Sequence, residues 1–234
     1  YAEYCVIDAS HCLSIPKGVS LIDAAGLPET FFTVWSNVFI GAQLKAGETV
    51  LILGAEGGVG TSAIQIAKAM GARVIAAASS DEKCALCKSI GADETINYAT
   101  ENLRERIKAL TDGKGPDVIY DPVGGEYTEP AFRSIAWRGR YLVVGFAAGP
   151  IPALPFNLML LKGASVVGVF WGDFAKKEPK ANAAMMVELA TWYAKGTIKP
   201  VIDSTMPMSQ LKEAYAHMSS RAVKGKLVMV NGEN

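Results

Sequence analysis

Cysteine, histidine, unbalanced charge and long apolar runs are all scarce in this chain of 234 residues. Its four cysteines are too few and too scattered for a disulfide scaffold. Cys84-Ala85-Leu86-Cys87 has C-x-x-C spacing, but it falls inside a predicted helix, Asp81–Ile90, with no second Cys/His pair near it. Cys5 and Cys12 are remote in sequence, so the pair reads as two small helix residues in a reducing compartment. His11 and His217 are isolated, and with no metal-ligand spacing no metal is expected. Lys plus Arg and Asp plus Glu are equal at 23 each, without a basic cluster, which argues against a nucleic-acid groove. The most apolar stretch, Gly149–Gly172, is broken by Pro150, Pro152, Pro155, Asn157 and Lys162, so no membrane span is expected. There is no internal repeat and no low-complexity segment. The chain opens at Tyr1 without a methionine, and Ala2–Asp8 already alternates like a strand with no partner nearby in sequence. The expectation is a unit whose N-terminal portion is absent, together with any targeting peptide. A cytoplasmic location is expected, with a mitochondrial one open.

What is present is apolar and strongly patterned. Half of the residues are hydrophobic, enough to bury one large domain, or a domain with a small partner. The most informative segment is Thr49-Val50-Leu51-Ile52-Leu53-Gly54-Ala55-Glu56-Gly57-Gly58-Val59-Gly60, followed by the apolar helix pattern of Ala63–Met70. A buried strand runs into a glycine turn, and the turn opens a helix. That presents bare backbone N–H groups and a helix N-terminus to a pyrophosphate. Gly57 lets the backbone approach phosphates without a Cβ in the way, and Gly60 lets the new helix pack tightly on the strand. The usual first glycine is replaced by Ala55, giving Ala-x-Gly-x-x-Gly. The strand before, the helix after and a further strand at Arg73–Ala78 supply the context that the motif requires.

Strands and helices alternate from Thr49 to Val169. Strands are predicted at Thr49–Gly54, Arg73–Ala78, Glu94–Asn97, Asp117–Asp121, Tyr141–Gly145 and Ser165–Val169. Helices are predicted at Gly58–Met70, Asp81–Ile90, Asn102–Thr111 and Tyr127–Ala136. This rhythm implies an α/β fold, a doubly wound parallel six-stranded Rossmann sheet of order 3-2-1-4-5-6, with ligands beyond the strands' C-terminal ends. Later, Ala181–Lys195 reads as a helix, Val201–Met206 as a strand, Ser209 as the cap of a helix through Met218, and Lys226–Val230 as a last strand. Ser20-Leu21-Ile22-Asp23 offers a capping-box-like helix start, and Pro28–Ile40 a linking helix. The expected division is a terminal remnant at 1–27, the dinucleotide-binding domain at 28–200 and a C-terminal segment at 201–234 that returns to the unit of the remnant.

Several segments together resemble the medium-chain dehydrogenase/reductase superfamily, in its zinc-free quinone oxidoreductase branch. They are Ala24-Ala25-Gly26-Leu27-Pro28, Thr33-Val34-Trp35, Gly57-Gly58-Val59-Gly60, Ile90-Gly91-Ala92-Asp93, Ile96-Asn97-Tyr98, Asp121-Pro122-Val123-Gly124-Gly125 and Gly225-Lys226. The resemblance covers nearly the whole chain in order. It implies NADPH-dependent reduction of a quinone or an activated alkene, and an N-terminal barrel-like catalytic domain of which the chain's ends are an incomplete part. It also implies a homodimer joined through the strand Ser165–Val169. The expectation is that the chain alone folds, because the sheet domain is complete, but is inactive, because the substrate cleft lacks one wall.

The choice of cofactor has its own argument. An NAD enzyme places an acid at the end of the second strand, about twenty residues past the glycine loop, to bind the ribose 2′-hydroxyl. Here that place reads Ala78-Ser79-Ser80, which leaves room for a 2′-phosphate, and Lys83 follows as a counter-charge. By resemblance, Tyr98 and Arg221 complete the phosphate site. Two charge-assisted hydrogen bonds at about 1.5–3 kcal/mol each would favour NADPH by tenfold or more. The counter-reading takes Asp81 as the ribose acid, although an acid there also suits the first turn of a helix. Glu56, where the family has a small residue, is expected to point outward into solvent. At the nicotinamide end, Val123 and Gly145-Phe146-Ala147-Ala148 follow strand ends that should face the cofactor. By resemblance Phe170-Trp171-Gly172 meets the carboxamide, and Ser36, with Thr33, lies near the nicotinamide ribose. No catalytic residue is identified. An enoyl-thioester reductase and a non-catalytic NADPH-binding protein remain open as alternatives.

Overall fold

The computed structural model describes residues 1–9 and 12–231, so His11 lies outside the described residues. Six parallel strands form one sheet: β1 (Thr49–Leu53), β2 (Arg73–Ala78), β3 (Glu94–Asn97), β4 (Val118–Asp121), β5 (Arg140–Val143) and β6 (Ser165–Gly168). Their order is β3-β2-β1-β4-β5-β6, the doubly wound order expected from the sequence. A separate parallel pair joins β7 (Ile202–Pro207) to β8 (Lys226–Val230).

The helices are α1 (Leu21–Gly26), a helical run over 28–41 here named α2, α3 (Gly58–Ala69), α4 (Asp81–Ser89), α5 (Leu103–Leu110), α6 (Thr128–Arg133), α7 (Asn157–Lys162), α8 (Trp171–Lys177), α9 (Pro179–Ala194) and α10 (Leu211–Ser219). The Ser20 hydroxyl accepts the Asp23 N–H at 3.0 Å and so caps α1 as its sequence suggests. α2 is wound as π-helix at both ends, Pro28–Phe32 and Ser36–Gly41, around the single α turn Thr33–Trp35. No helix among the described residues is long and apolar enough to cross a membrane.

Strand periodicity sorts the core onto two faces. Val50, Ile52, Val74, Ala76 and Ala78 pack on one side with Ile64 and Ala67 of α3 and with Phe31 and Val34 of α2. Leu51, Leu53, Ile75, Ala77 and Ile96 pack on the other with Ile107 of α5 and Phe132 of α6. Both faces of the central strands are covered, which is why those strands read as unbroken apolar runs. Each large aliphatic side chain withdrawn from water in this way contributes about 1.5–3 kcal/mol.

The structure corrects three expectations. Ala2–Asp8 is not a strand; Tyr4 and Val6 stand in solvent, and among the described residues this segment has no partner ladder. Ser209 does not cap α10. β7 runs on to Pro207, and the 3-10 turn Met208–Gln210 absorbs the residues between, leaving Gln210 at the cap. Asn157–Lys162 and Trp171–Lys177 are helices in the Pro-interrupted stretch and after β6, where none was expected.

The β7–β8 unit is docked on the glycine turn. Gly225 N–H donates to the Glu56 carbonyl at 2.8 Å, and Gly57 and Gly225 form an isolated parallel bridge. Lys226 pairs with Glu29 at 2.7 Å and Lys224 with Glu82 at 2.6 Å, tying the same segment to α2 and α4.

Candidate dinucleotide site

The glycine turn joins β1 to α3 at the C-terminal edge of the sheet. Gly54 takes φ +58, and Gly57, at φ −75 and ψ 174, is the N-cap of α3 with no side-chain cap. The first-turn N–H groups of Gly58, Val59 and Gly60 have no intrahelical acceptor, as at any helix start. A Cβ at Gly60 would lie 2.4 Å from the Gly54 carbonyl oxygen and 2.6 Å from the Ala55 backbone, so this glycine allows the helix to press on the strand. A Cβ at Gly57 would meet only Gly54 O, at an ordinary 3.5 Å. Protein packing therefore does not require a glycine at 57, whereas an anion approaching the backbone would. The turn fits a pyrophosphate.

The expected 2′-phosphate residues come together, around an occupant that the sequence reading directed elsewhere. Glu56 does not point into solvent: it is 7% exposed. Gly225 and its neighbours close over its backbone, and its carboxylate turns inward. Glu56 Oε1 accepts from Ser79 Oγ at 2.9 Å and from Lys83 Nζ at 3.1 Å. Lys83 Nζ also donates to Ser79 Oγ at 2.9 Å and to the Arg221 carbonyl at 2.8 Å. Arg221 holds φ +59 to present that carbonyl. The Tyr98 ring lies beside the cluster, 4.7 Å from that of Tyr127. Burial, with the Glu56 charge beside it, pushes the Tyr98 phenol well above its ordinary range. Ser80 is the N-cap of α4, its Oγ accepting from Lys83 N–H at 3.3 Å. Asp81, the rival ribose acid, accepts from Asn97 Nδ2 at 2.7 Å. Cys84 and Cys87 are buried on α4, where burial pushes the Cys87 thiol up to about 12. Among the described residues, no three His, Cys, Asp or Glu side chains form a group that could hold a metal ion.

The other end of the site is organised by Asp121, for which the sequence suggested no role. Buried at the end of β4, its Oδ1 accepts the N–H groups of Val123 and Gly124, both at 2.8 Å. Its Oδ2 accepts from Thr128 Oγ1 at 3.1 Å and from the Tyr141 hydroxyl. Val123 is thereby fixed over Gly54, at the ends of two adjacent strands. The loop after β5 is laced to it: Ala147 N–H donates to Pro122 O at 3.1 Å, and Ala148 N–H to Val123 O at 2.9 Å. Gly145 and the half-exposed Phe146 lie in the same loop. After β6, Phe170 is exposed, while Trp171 donates to Asn182 at 3.0 Å and packs edge-on against Phe32. Gly172 follows inside α8, against the Phe170 ring. Ser36 is buried, and its hydroxyl turns back to the Thr33 carbonyl at 3.0 Å. An acid ending a strand just before a Pro-x-Gly-Gly turn was the available sign of Asp121.

Comparison with known proteins fits this geometry. Residues 58–190 match the zinc-binding dehydrogenase family model. The chain is 36% identical over 229 residues to quinone oxidoreductase-like protein 2 of Rattus norvegicus, covering 97% of this chain and 65% of that protein. The Escherichia coli quinone oxidoreductase complexed with NADPH superposes with a TM-score of 0.86 at 27% identity, over 92% of this chain and 67% of that one. The CurK enoyl reductase gives 0.83 at 27% identity, over 94% and 65%. The chain spans about two thirds of the length of such relatives. On these matches the chain belongs to the zinc-binding dehydrogenase family and, within the medium-chain dehydrogenase/reductase superfamily, to the quinone oxidoreductase branch.

Proposed function

We propose that this chain is the dinucleotide-binding part of an NADPH-using oxidoreductase that reduces a quinone or an activated alkene. The observation that carries the reading is the glycine turn. It combines an uncapped helix start, an open face at Gly57 and, across the adjacent strand ends, a cluster of Ser79, Lys83, Tyr98 and Arg221. The NADPH complex of the Escherichia coli relative supports the choice of dinucleotide.

Each part of the chain has a task in this reading. The N–H groups of Gly58, Val59 and Gly60 hold the pyrophosphate, and the Ser79–Lys83 cluster faces the adenosine ribose. Val123 and the Gly145–Ala148 loop, pinned by Asp121, hold the nicotinamide end at the strand edge. The dinucleotide supplies the hydride when bound, and the protein supplies orientation. The likeness to an enoyl reductase supports a second substrate class, an enoyl thioester. The two separate in NADPH-oxidation assays with 1,2-naphthoquinone and crotonyl-coenzyme A, run on a form extended to the relatives' length. Faster turnover of the quinone is expected. Turnover of the thioester alone would favour the second class, and tight NADPH binding with neither substrate consumed would contradict both.

A further inference from the structure

The donors that a 2′-phosphate would use already hold an anion from within the chain. Lys83 Nζ makes three hydrogen bonds, to Glu56 Oε1 at 3.1 Å, Ser79 Oγ at 2.9 Å and the Arg221 carbonyl at 2.8 Å. An ammonium has three N–H groups, so none is left over. The Ser79 hydroxyl gives its one proton to Glu56. The Glu56 and Lys83 side chains are only 10% and 11% exposed, so solvent screens this pair little. Glu56 Oε2 is buried and accepts no hydrogen bond in the structure. A buried carboxylate oxygen without a donor is a costly arrangement.

The position of this carboxylate has a chemical meaning. Dinucleotide folds that bind NAD place an acid at the end of the second strand, where it accepts the ribose 2′-hydroxyl. Here β2 ends at Ala78 and no acid follows directly, but the Glu56 carboxylate reaches Ser79, the next residue, from the glycine turn. A 2′-phosphate entering this place meets a fixed negative charge and must take Lys83 and Ser79 away from it. A 2′-hydroxyl brings no charge and leaves the Glu56–Lys83 pair and the Ser79 bond in place. The remaining cation of the cluster, Arg221, is exposed and contributes a screened charge.

We infer that Glu56 sets cofactor specificity in this chain: it holds Ser79 and Lys83 as an internal substitute for the 2′-phosphate, and so reduces the preference for NADPH over NADH to a narrow margin. This rests on the dinucleotide reading above. It is tested by calorimetric titration of NADPH and of NADH into the unaltered chain, Glu56→Gln and Glu56→Ala, with each variant's fold checked by thermal unfolding without ligand. In the unaltered chain the two affinities should lie within about threefold. In either variant the NADPH-to-NADH ratio should rise at least tenfold, which corresponds to about 1.4 kcal/mol. A ratio unmoved by removal of the carboxylate would overturn the inference while leaving the dinucleotide reading intact. Failure of the unaltered chain to bind either dinucleotide would overturn both. Adenosine 2′,5′-bisphosphate and adenosine 5′-monophosphate, which differ only in the 2′-phosphate, provide a measurement that needs no variant. A preference of tenfold or more for the 2′-phosphate compound by the unaltered chain would also overturn the inference.

Discussion

Acidic side chains do much of the positioning in this chain, and two of them, Glu48 and Asp93, are held in their charged form by particular partners. Burial pushes the Glu48 carboxyl up, but the Arg140 guanidinium, the Lys45 N–H and the nearby charges outweigh it and leave Glu48 below its ordinary value. Arg140 grips it through both terminal nitrogens, at 2.8 and 2.7 Å, beside the start of β1. Asp93 is likewise raised by burial and lowered further by Lys68 and the Val74 N–H, with a net lowering. A carboxyl depressed by folding stabilises the fold at pH above its unfolded value. That stabilisation is lost as pH falls through its folded value. The expected outcome in urea denaturation is a midpoint insensitive to these groups near neutrality, falling once pH drops below the ordinary values of 4.5 for Glu48 and 3.8 for Asp93. Arg140→Met should shrink the acid-dependent part of that decline, and an unchanged profile would contradict the assignment. Lys83 is different in kind: its removal would leave Glu56 buried without its cation. Loss of one partner of a buried pair costs about 3–5 kcal/mol, so a Lys83→Ala variant confuses stability with cofactor choice.

At the level of elements, the β1 turn and α3 form the unit on which the site depends. Gly60→Ala forces a methyl against the Gly54 carbonyl at 2.4 Å and the Ala55 backbone at 2.6 Å. Neither is a flexible side-chain end, so a destabilisation of about 1–3 kcal/mol is expected by thermal unfolding, as for overpacked cores. A neutral result would mean that helix and strand are not pressed together there. This unit was legible in the sequence because its signals are local: an apolar run, a glycine turn, then a change of period. β2, β3 and β8 begin and end where their residue patterns place them. The winding of α2 was less legible, since its register follows contacts with α3 and α9 rather than its own composition. The inward turn of Glu56 was hidden for a similar reason. It depends on Gly225, whose N–H closes over the turn from the far end of the chain. Asp121 was legible as part of a motif but not as a hub, because its partners Thr128 and Tyr141 stand on other elements.

Across the whole molecule, the sheet, the glycine turn and the docked β7–β8 unit converge on one edge, where the strand order reverses at β1 and β4. In the proposed function this edge binds a nicotinamide dinucleotide at the glycine turn, where the missing Cβ of Gly57 lets the pyrophosphate approach the backbone. Gly57 separates binding from folding, because its φ of −75 suits any residue and an added Cβ would meet only Gly54 O at 3.5 Å. Gly57→Ala should therefore leave the fold intact, even stabilising it by about 0.4–1 kcal/mol through the unfolded state. The most direct measurement is a calorimetric titration of NADPH into the unaltered chain and Gly57→Ala, beside their thermal unfolding curves. Saturable binding to the unaltered chain is expected, with at least tenfold weaker binding to a variant that melts no lower. Equal affinity in both, or no binding to the unaltered chain, would contradict that reading.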